Sequence, residues 1–273
     1  MIRGFRRPSG ALGARNHVLV LPSVVCSSAA ARAIAADDAV PIVHQHGCAE
    51  VGLDVDHTQS AFIGTAANPN VGAALVVGLG CETNQSDRLA ARIEASGQRV
   101  EVNSIQAAGG SAVTVAWGRE RVAELRDELA RQERVEGTED ELVVALDDAD
   151  APFADALAAL VEAVGARLVV ATGGRGALHH PELAASGAQV IVAWCGPGEG
   201  PSGFAVCPVI AVAGDADLYA ALGDDYDIDG TGEPDAVAAT VWQHVLRTFD
   251  GPPTAAERRG QRDFFLRRLV RTM

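Results

Sequence analysis

Short runs rich in Val, Ile and Leu recur along the chain at residues 17–21, 40–44, 73–79 and 100–102, and again at 141–146, 166–171, 189–194 and 209–213. Most of them do not alternate apolar with polar positions, as a strand with one wet face would. They read as parallel strands covered on both faces. Between them the apolar positions switch to helical spacing at 28–36, 86–96, 119–134, 154–164 and 235–248. Strands alternating with helices at this spacing predict an α/β fold of layered, mostly parallel sheets with flanking helices.

The pattern also repeats. HVLVLPSVVCSSAAARAIA followed by AVPIVHQHG is echoed by ELVVALDDADAPFADALAALVEAVG followed by ARLVVATGG, and GAALVVGLGCE is echoed by GAQVIVAWCGPGE. The chain therefore divides into two related halves, residues 15–135 and 136–273. They are preceded by a basic tail, residues 1–14, carrying Arg3, Arg6 and Arg7.

Charge narrows the classes of partner. The net charge is −14, and all 22 basic residues are arginine. Such a chain repels nucleic acid and anionic membranes. No apolar run reaches the roughly 18 residues needed to span a bilayer, and no signal-peptide stretch follows the basic start; the cytoplasm is the expected compartment. Five cysteines, an odd count, argue against a disulfide framework.

In open parallel sheets, ligands bind beyond the carboxyl ends of the strands. There the first half places Cys26, then His44, His46 and Cys48, then Cys81 and Glu82, and then Gln106, Gly109, Gly110 and Ser111. Three thiols and two imidazoles suit a borderline metal such as iron(II) or zinc, although Cys26 and Cys81 also read as packed core residues. Gly109-Gly110-Ser111 has the composition of a backbone nest for an anion. In the second half, Arg175 in a Gly-rich loop offers a carboxylate clamp. Asp147, Asp148 and Asp150 offer oxygen ligands for a hard cation but in so acidic a chain read first as a solvated loop, His179-His180 as a surface helix start, and Trp117, Trp194 and Trp242 as core or subunit contacts.

The order of these motifs resembles the altronate/galactarate dehydratase family, which includes the large subunit of sulfolactate sulfo-lyase. The resemblance rests on Arg15-Asn16-His17, Cys26-Ser27, His44-x-x-Gly47-Cys48, Asn68-Pro69-Asn70, Gly78-Leu79-Gly80-Cys81-Glu82 with Asn84-Gln85, and Ile105-Gln106 with Gly109-Gly110-Ser111. It covers residues 15–115 best. It implies a hydro-lyase performing β-elimination on a sugar acid such as altronate or galactarate, with Fe(2+) as cofactor. His46 and His44 are then the catalytic residues, with Cys48, Cys81, Cys26 and Glu82 at the metal. Asn16, Gln106, Gly109, Gly110, Ser111 and Arg175 bind the substrate. It further implies a homo- or hetero-oligomer with a separate small subunit of SAF type. The second half departs from the family pattern: residues 146–151 lack its cysteine, and Ala211 replaces a lysine. Two rivals follow, a carbon–sulfur lyase subunit acting on sulfolactate and a non-catalytic sugar-acid-binding subunit.

Overall fold

The computed structural model describes residues 1–48, 50–171 and 176–269. The chain opens on a strand where a tail was expected. β1 (Ile2–Arg6) pairs antiparallel with β2 (Leu12–Gly13) and with β7 (Val135–Gly137). Ile2, Leu12 and Ala14 are buried in the core of the second half. The buried Arg7 guanidinium donates to the Pro69 and Arg15 carbonyls and to Asn16 Oδ1. An arginine-rich segment is thus folded by its few apolar residues, with its charges satisfied locally.

The first half builds a parallel sheet in the order β4-β3-β5-β6. Its strands are β3 (His17–Pro22), β4 (Val40–Pro41), β5 (Val71–Gly78) and β6 (Val100–Ser104). Successive residues serve opposite faces: Val18 and Val20 pack under α1 (Ser28–Ala35) and α5 (Ser111–Ala130), and Leu19 and Leu21 under α2 (Leu53–Ala66) and α3 (Ser86–Ala95). Both faces are dry, which explains the missing alternation. β4 stops at Pro41, which has no N–H for the ladder, although Ile42 still donates to the Val20 carbonyl.

The second half repeats the connectivity, in the order β12-β11-β10-β8-β9. These are β8 (Val143–Asp147), β9 (Arg167–Val170), β10 (Val190–Cys195), β11 (Val209–Ala213) and β12 (Ile228–Asp229). One face packs on α6 (Ala151–Ala163) and α9 (Pro234–Thr248). The other turns toward the first half, where Ala145 and Ile191 share a core with Leu19, Phe62, Phe204 and Phe264. α2 lies against α7 (His180–Ala185) so closely that a Cβ on Gly64 would sit 2.2 Å from Ala185 Cβ. Full burial of each such Leu, Ile or Phe contributes about 1.5–3 kcal/mol, and the halves are one packed body. Shorter helices complete the chain: α4 (Ile105–Ala108), α8 (Ala216–Leu222) and α10 (Ala255–Arg258). Among the described residues no helix is long and apolar enough to cross a membrane.

Candidate active site

In the first sheet the chain leaves β3 toward β4 on one side and returns at β5 on the other, so a crevice opens beyond the carboxyl ends of β3 and β5. Glu82 closes the turn after β5. Its carboxylate accepts from the Ser23 hydroxyl at 2.8 Å and from the N–H groups of Leu79 at 3.2 Å and Gly80 at 2.5 Å. Gly80 has φ 122° and lies against Gln106 Oε1, a backbone conformation and a clearance that only glycine meets. Burial works against the Glu82 charge, but these hydrogen bonds outweigh it and hold the carboxyl below its ordinary range.

The loop after β4 is folded by a histidine. His44 Nε2 donates to the Pro22 carbonyl at 2.7 Å, and its Nδ1 accepts the His46 N–H at 3.1 Å. A carbonyl partner on one nitrogen and an N–H partner on the other fix the neutral tautomer. Burial lowers its pKa to about 4. Expected at the chemistry, His44 has no nitrogen left for substrate or metal and instead holds the loop to β3. The turn ends at Gly47, where a Cβ would meet the Ser23 carbonyl oxygen at 2.2 Å.

His46 is placed differently. Its Nδ1 lies 3.1 Å from Glu50 Oε1, which also accepts from the Thr58 hydroxyl at 3.0 Å. Glu50 is 4% exposed. Burial opposes its charge, but the bonds from His46, the Gly47 N–H and Thr58 prevail and depress its pKa. With Nδ1–H directed at a carboxylate, the lone pair of His46 is on Nε2. Sequence reasoning passed over Glu50, one carboxylate among 36 acidic residues. Its i+4 offset from His46 was the available signal.

The other expected site residues separate. Cys26, Cys48 and Cys81 are exposed free thiols, and Glu82 is committed to its own turn. Among the described residues no group of three His, Cys, Asp or Glu is arranged to hold a metal ion. As placed, these donors do not fit one. Gln106 stays at the edge, against Gly80. The N–H groups of Gly109 and Gly110 are taken by the Gln106 and Ile105 carbonyls at the end of α4, so they form no anion nest. Ser111 begins α5 and, with Cys26, lines a separate groove. Asn16 lies at the amino end of β3, bonded to Arg7, the Leu129 carbonyl and Gln132, away from the site. Arg175 lies outside the described residues.

His46 opens onto a cavity of about 790 Å³, bounded by residues 41–46, Leu178 of the second half and residues 260–268. Asn84, two residues beyond Glu82, is 1% exposed, yet neither its Nδ2 nor its Oδ1 has a partner among the described residues. A buried amide left unpaired costs about 1–3 kcal/mol.

The second edge also corrects expectation. Asp147, read as a solvated loop residue, is buried against His180, with Oδ2 2.9 Å from Nε2 and Oδ1 accepting the Gly176 N–H. His179 and His180 do start a helix, but both are buried. Asp148 follows at φ 52°. Cys195, at the end of β10, has its thiol pushed up to about 12 by burial.

Two family descriptions match, and they account for most of the chain. "D-galactarate dehydratase/Altronate hydrolase, second domain" matches residues 4–130, and "D-galactarate/Altronate dehydratase, C-terminal" matches residues 156–272. The chain belongs to the galactarate/altronate dehydratase family. Family relatives include an altronate dehydratase of Bacillus subtilis, 32% identical over 99 residues (32% of this chain, 20% of the relative). The (2R)-sulfolactate sulfo-lyase subunit beta of Chromohalobacter salexigens is 39% identical over 100 residues (36% and 25%). An altronate dehydratase of Escherichia coli is 36% identical over 93 residues (30% and 19%). The aligned stretches thus span a quarter or less of each relative's own length.

Proposed function

We propose that this family member is a hydro-lyase that removes water from a sugar acid of the altronate or galactarate type. The carrying observation is the buried His46–Glu50 pair, with Nε2 of His46 left as a base beside the cavity. The base takes the proton on the carbon next to the substrate carboxylate. The C–H electron pair forms the C=C bond as the β-hydroxyl departs. The proton on Nε2 passes to that leaving oxygen, so water leaves and the neutral ring returns. Glu50 stabilises the imidazolium in between and fixes the ring's orientation.

A second reading keeps the base and changes the leaving group to sulfite. It is favoured by the 39% identity to a sulfo-lyase subunit. That relative's name also motivates a second, small subunit as partner. The test is turnover of altronate, galactarate and sulfolactate by the chain, alone and with a co-encoded SAF-type subunit. A 2-keto acid from a sugar acid supports the first reading, and sulfite release from sulfolactate the second. No product from any of them in either preparation would sink both.

A further inference from the structure

The wall of the cavity opposite residues 41–46 is an arm, residues 259–269, that leaves α10 without regular structure and returns over the first half. Phe264 and Leu266 sink into the shared core, with the Phe264 ring 6.4 Å from His44, 6.0 Å from Phe62 and 6.0 Å from Phe204. Two polar contacts then pin the end of the arm to both halves. The Arg267 guanidinium lies 3.5 Å from Glu182 of α7, and the Leu269 N–H donates to Asp54 of α2 at 2.6 Å. Arg268 sits between these anchors and lines the cavity with Gln45 and His46. Asp54 is four residues beyond Glu50, and Arg268 shares the cavity lining with His46.

Like many arginines of this chain, Arg268 forms no ion pair among the described residues, while its neighbour Arg267 and the nearby Arg259 both do. Arg262 also lines the cavity without an ion pair among the described residues, and Asp263 is the one carboxylate among the described residues that line it. An arginine fixed on both sides, exposed to a cavity and left without a carboxylate is arranged to receive one from outside.

We infer that Arg268 binds the carboxylate of the substrate, setting the adjacent carbon against Nε2 of His46. This rests on the hydro-lyase reading and names the recognition element of that same site. When the proton leaves, negative charge grows on that carboxylate, and the guanidinium stabilises it more strongly than in the ground state. Arg268 therefore contributes both to binding and to the rate. The acid selected is one with its carboxylate next to a C–H and a leaving group one carbon farther.

The test compares Arg268→Ala, Arg268→Lys and, as a control for charge on the same arm, Arg259→Ala, using the full chain with altronate and galactarate. Arg268→Ala should lower kcat/KM about 10²–10³-fold, raise KM, and recover part of its rate when guanidinium is added. Arg268→Lys, which keeps charge and stem but cannot bind bidentately, should lie between; it also covers the case in which the alanine variant fails to fold. Arg259→Ala should stay within about twofold of wild type. Wild-type kinetics in either Arg268 variant would overturn the assignment while leaving the hydro-lyase reading intact. Wild-type protein that neither turns over these acids nor is stabilised by them in thermal unfolding would overturn the reading itself, and the clamp with it.

Discussion

At the carboxyl edge of the first sheet, Glu82 closes the turn after β5 on the N–H groups of Leu79 and Gly80. At the second, Glu199 closes the turn after β10 on the N–H of Gly196 at 2.8 Å. Each edge also ties a histidine to the end of its first strand: His44 to the Pro22 carbonyl, His180 to the Asp147 carboxylate. The parallel ends there. The first edge adds His46, with one nitrogen on Glu50 and the residue lining the cavity. The second buries His180 completely, its Nδ1 unpaired among the described residues and Phe204 packed edge-on at 5.8 Å. One βα framework thus yields a scaffold histidine in both halves and, in one of them, a histidine held by a carboxylate at a cavity wall. What separates the roles is the partner of each ring's second nitrogen, not the residue type.

Breaking the buried half of this comparison should have the largest effect on stability. Asp147→Ala leaves the His180 ring and the Gly176 N–H without their acceptor, and should cost about 3–5 kcal/mol in denaturant unfolding. A loss under 1 kcal/mol would mean the pair is not structural.

His44 gives the next effect, through pH. Below about 6.5 the unfolded chain's imidazole takes up a proton that the buried ring refuses until about pH 4. Stability should therefore fall by about 3 kcal/mol as pH drops through that interval. His44→Gln, which keeps a donor for Pro22, should remove that contribution and leave the similar one from His17, whose pKa burial also lowers to about 4. Glu50 and Glu82, held below their ordinary range, add stability that is present above about pH 4.5 and lost at lower pH. Thermal melts across pH 4–7 separate the two contributions, because only the first disappears in the variant.

Asn84 sharpens the comparison through stability. Asn84→Leu removes two buried polar atoms that lack partners among the described residues, so the melting temperature should hold or rise. A clearly lower melting temperature would make the Asn84 amide a satisfied structural group.

The smallest effect is expected at the thiols. Cys26→Ser and Cys81→Ser should each keep activity within about twofold, since neither thiol joins a donor group fit for a metal. Metal analysis of anaerobically purified protein checks the same point. About one iron per chain, lost on Cys48→Ser, would contradict the placement of these donors.

Much of the fold was legible because its strands are dry on both faces, which leaves unbroken Val, Ile and Leu runs. Strands β1 and β2 were not, because they are short and Arg-rich, and because β1 pairs with β7, more than a hundred residues away. α2 was hidden by Asp54, Asp56 and His57 in its first turns and by a Gly52 start with φ 59° in place of a capping side chain. At the site, residue types and loops could be read, but the division of labour could not. His44 and His46 differ only in which backbone and side-chain groups the fold brings to their nitrogens. Asn16 was drawn toward the site by its motif, although a residue at the amino end of a parallel strand lies away from the edge where ligands bind. Arg268 carried no motif at all; its place depends on an arm returning across both halves.

The central claim is that His46, held by Glu50, is the base of a hydro-lyase. It is tested most directly by following 2-keto acid formation from altronate and galactarate with wild-type protein and with His46→Ala side by side, with thermal melts on both. The account predicts product from wild type and a loss of about 10²–10⁴-fold in the variant, assayed below the variant's melting temperature so that both proteins are folded. Turnover at the wild-type rate by His46→Ala would contradict it.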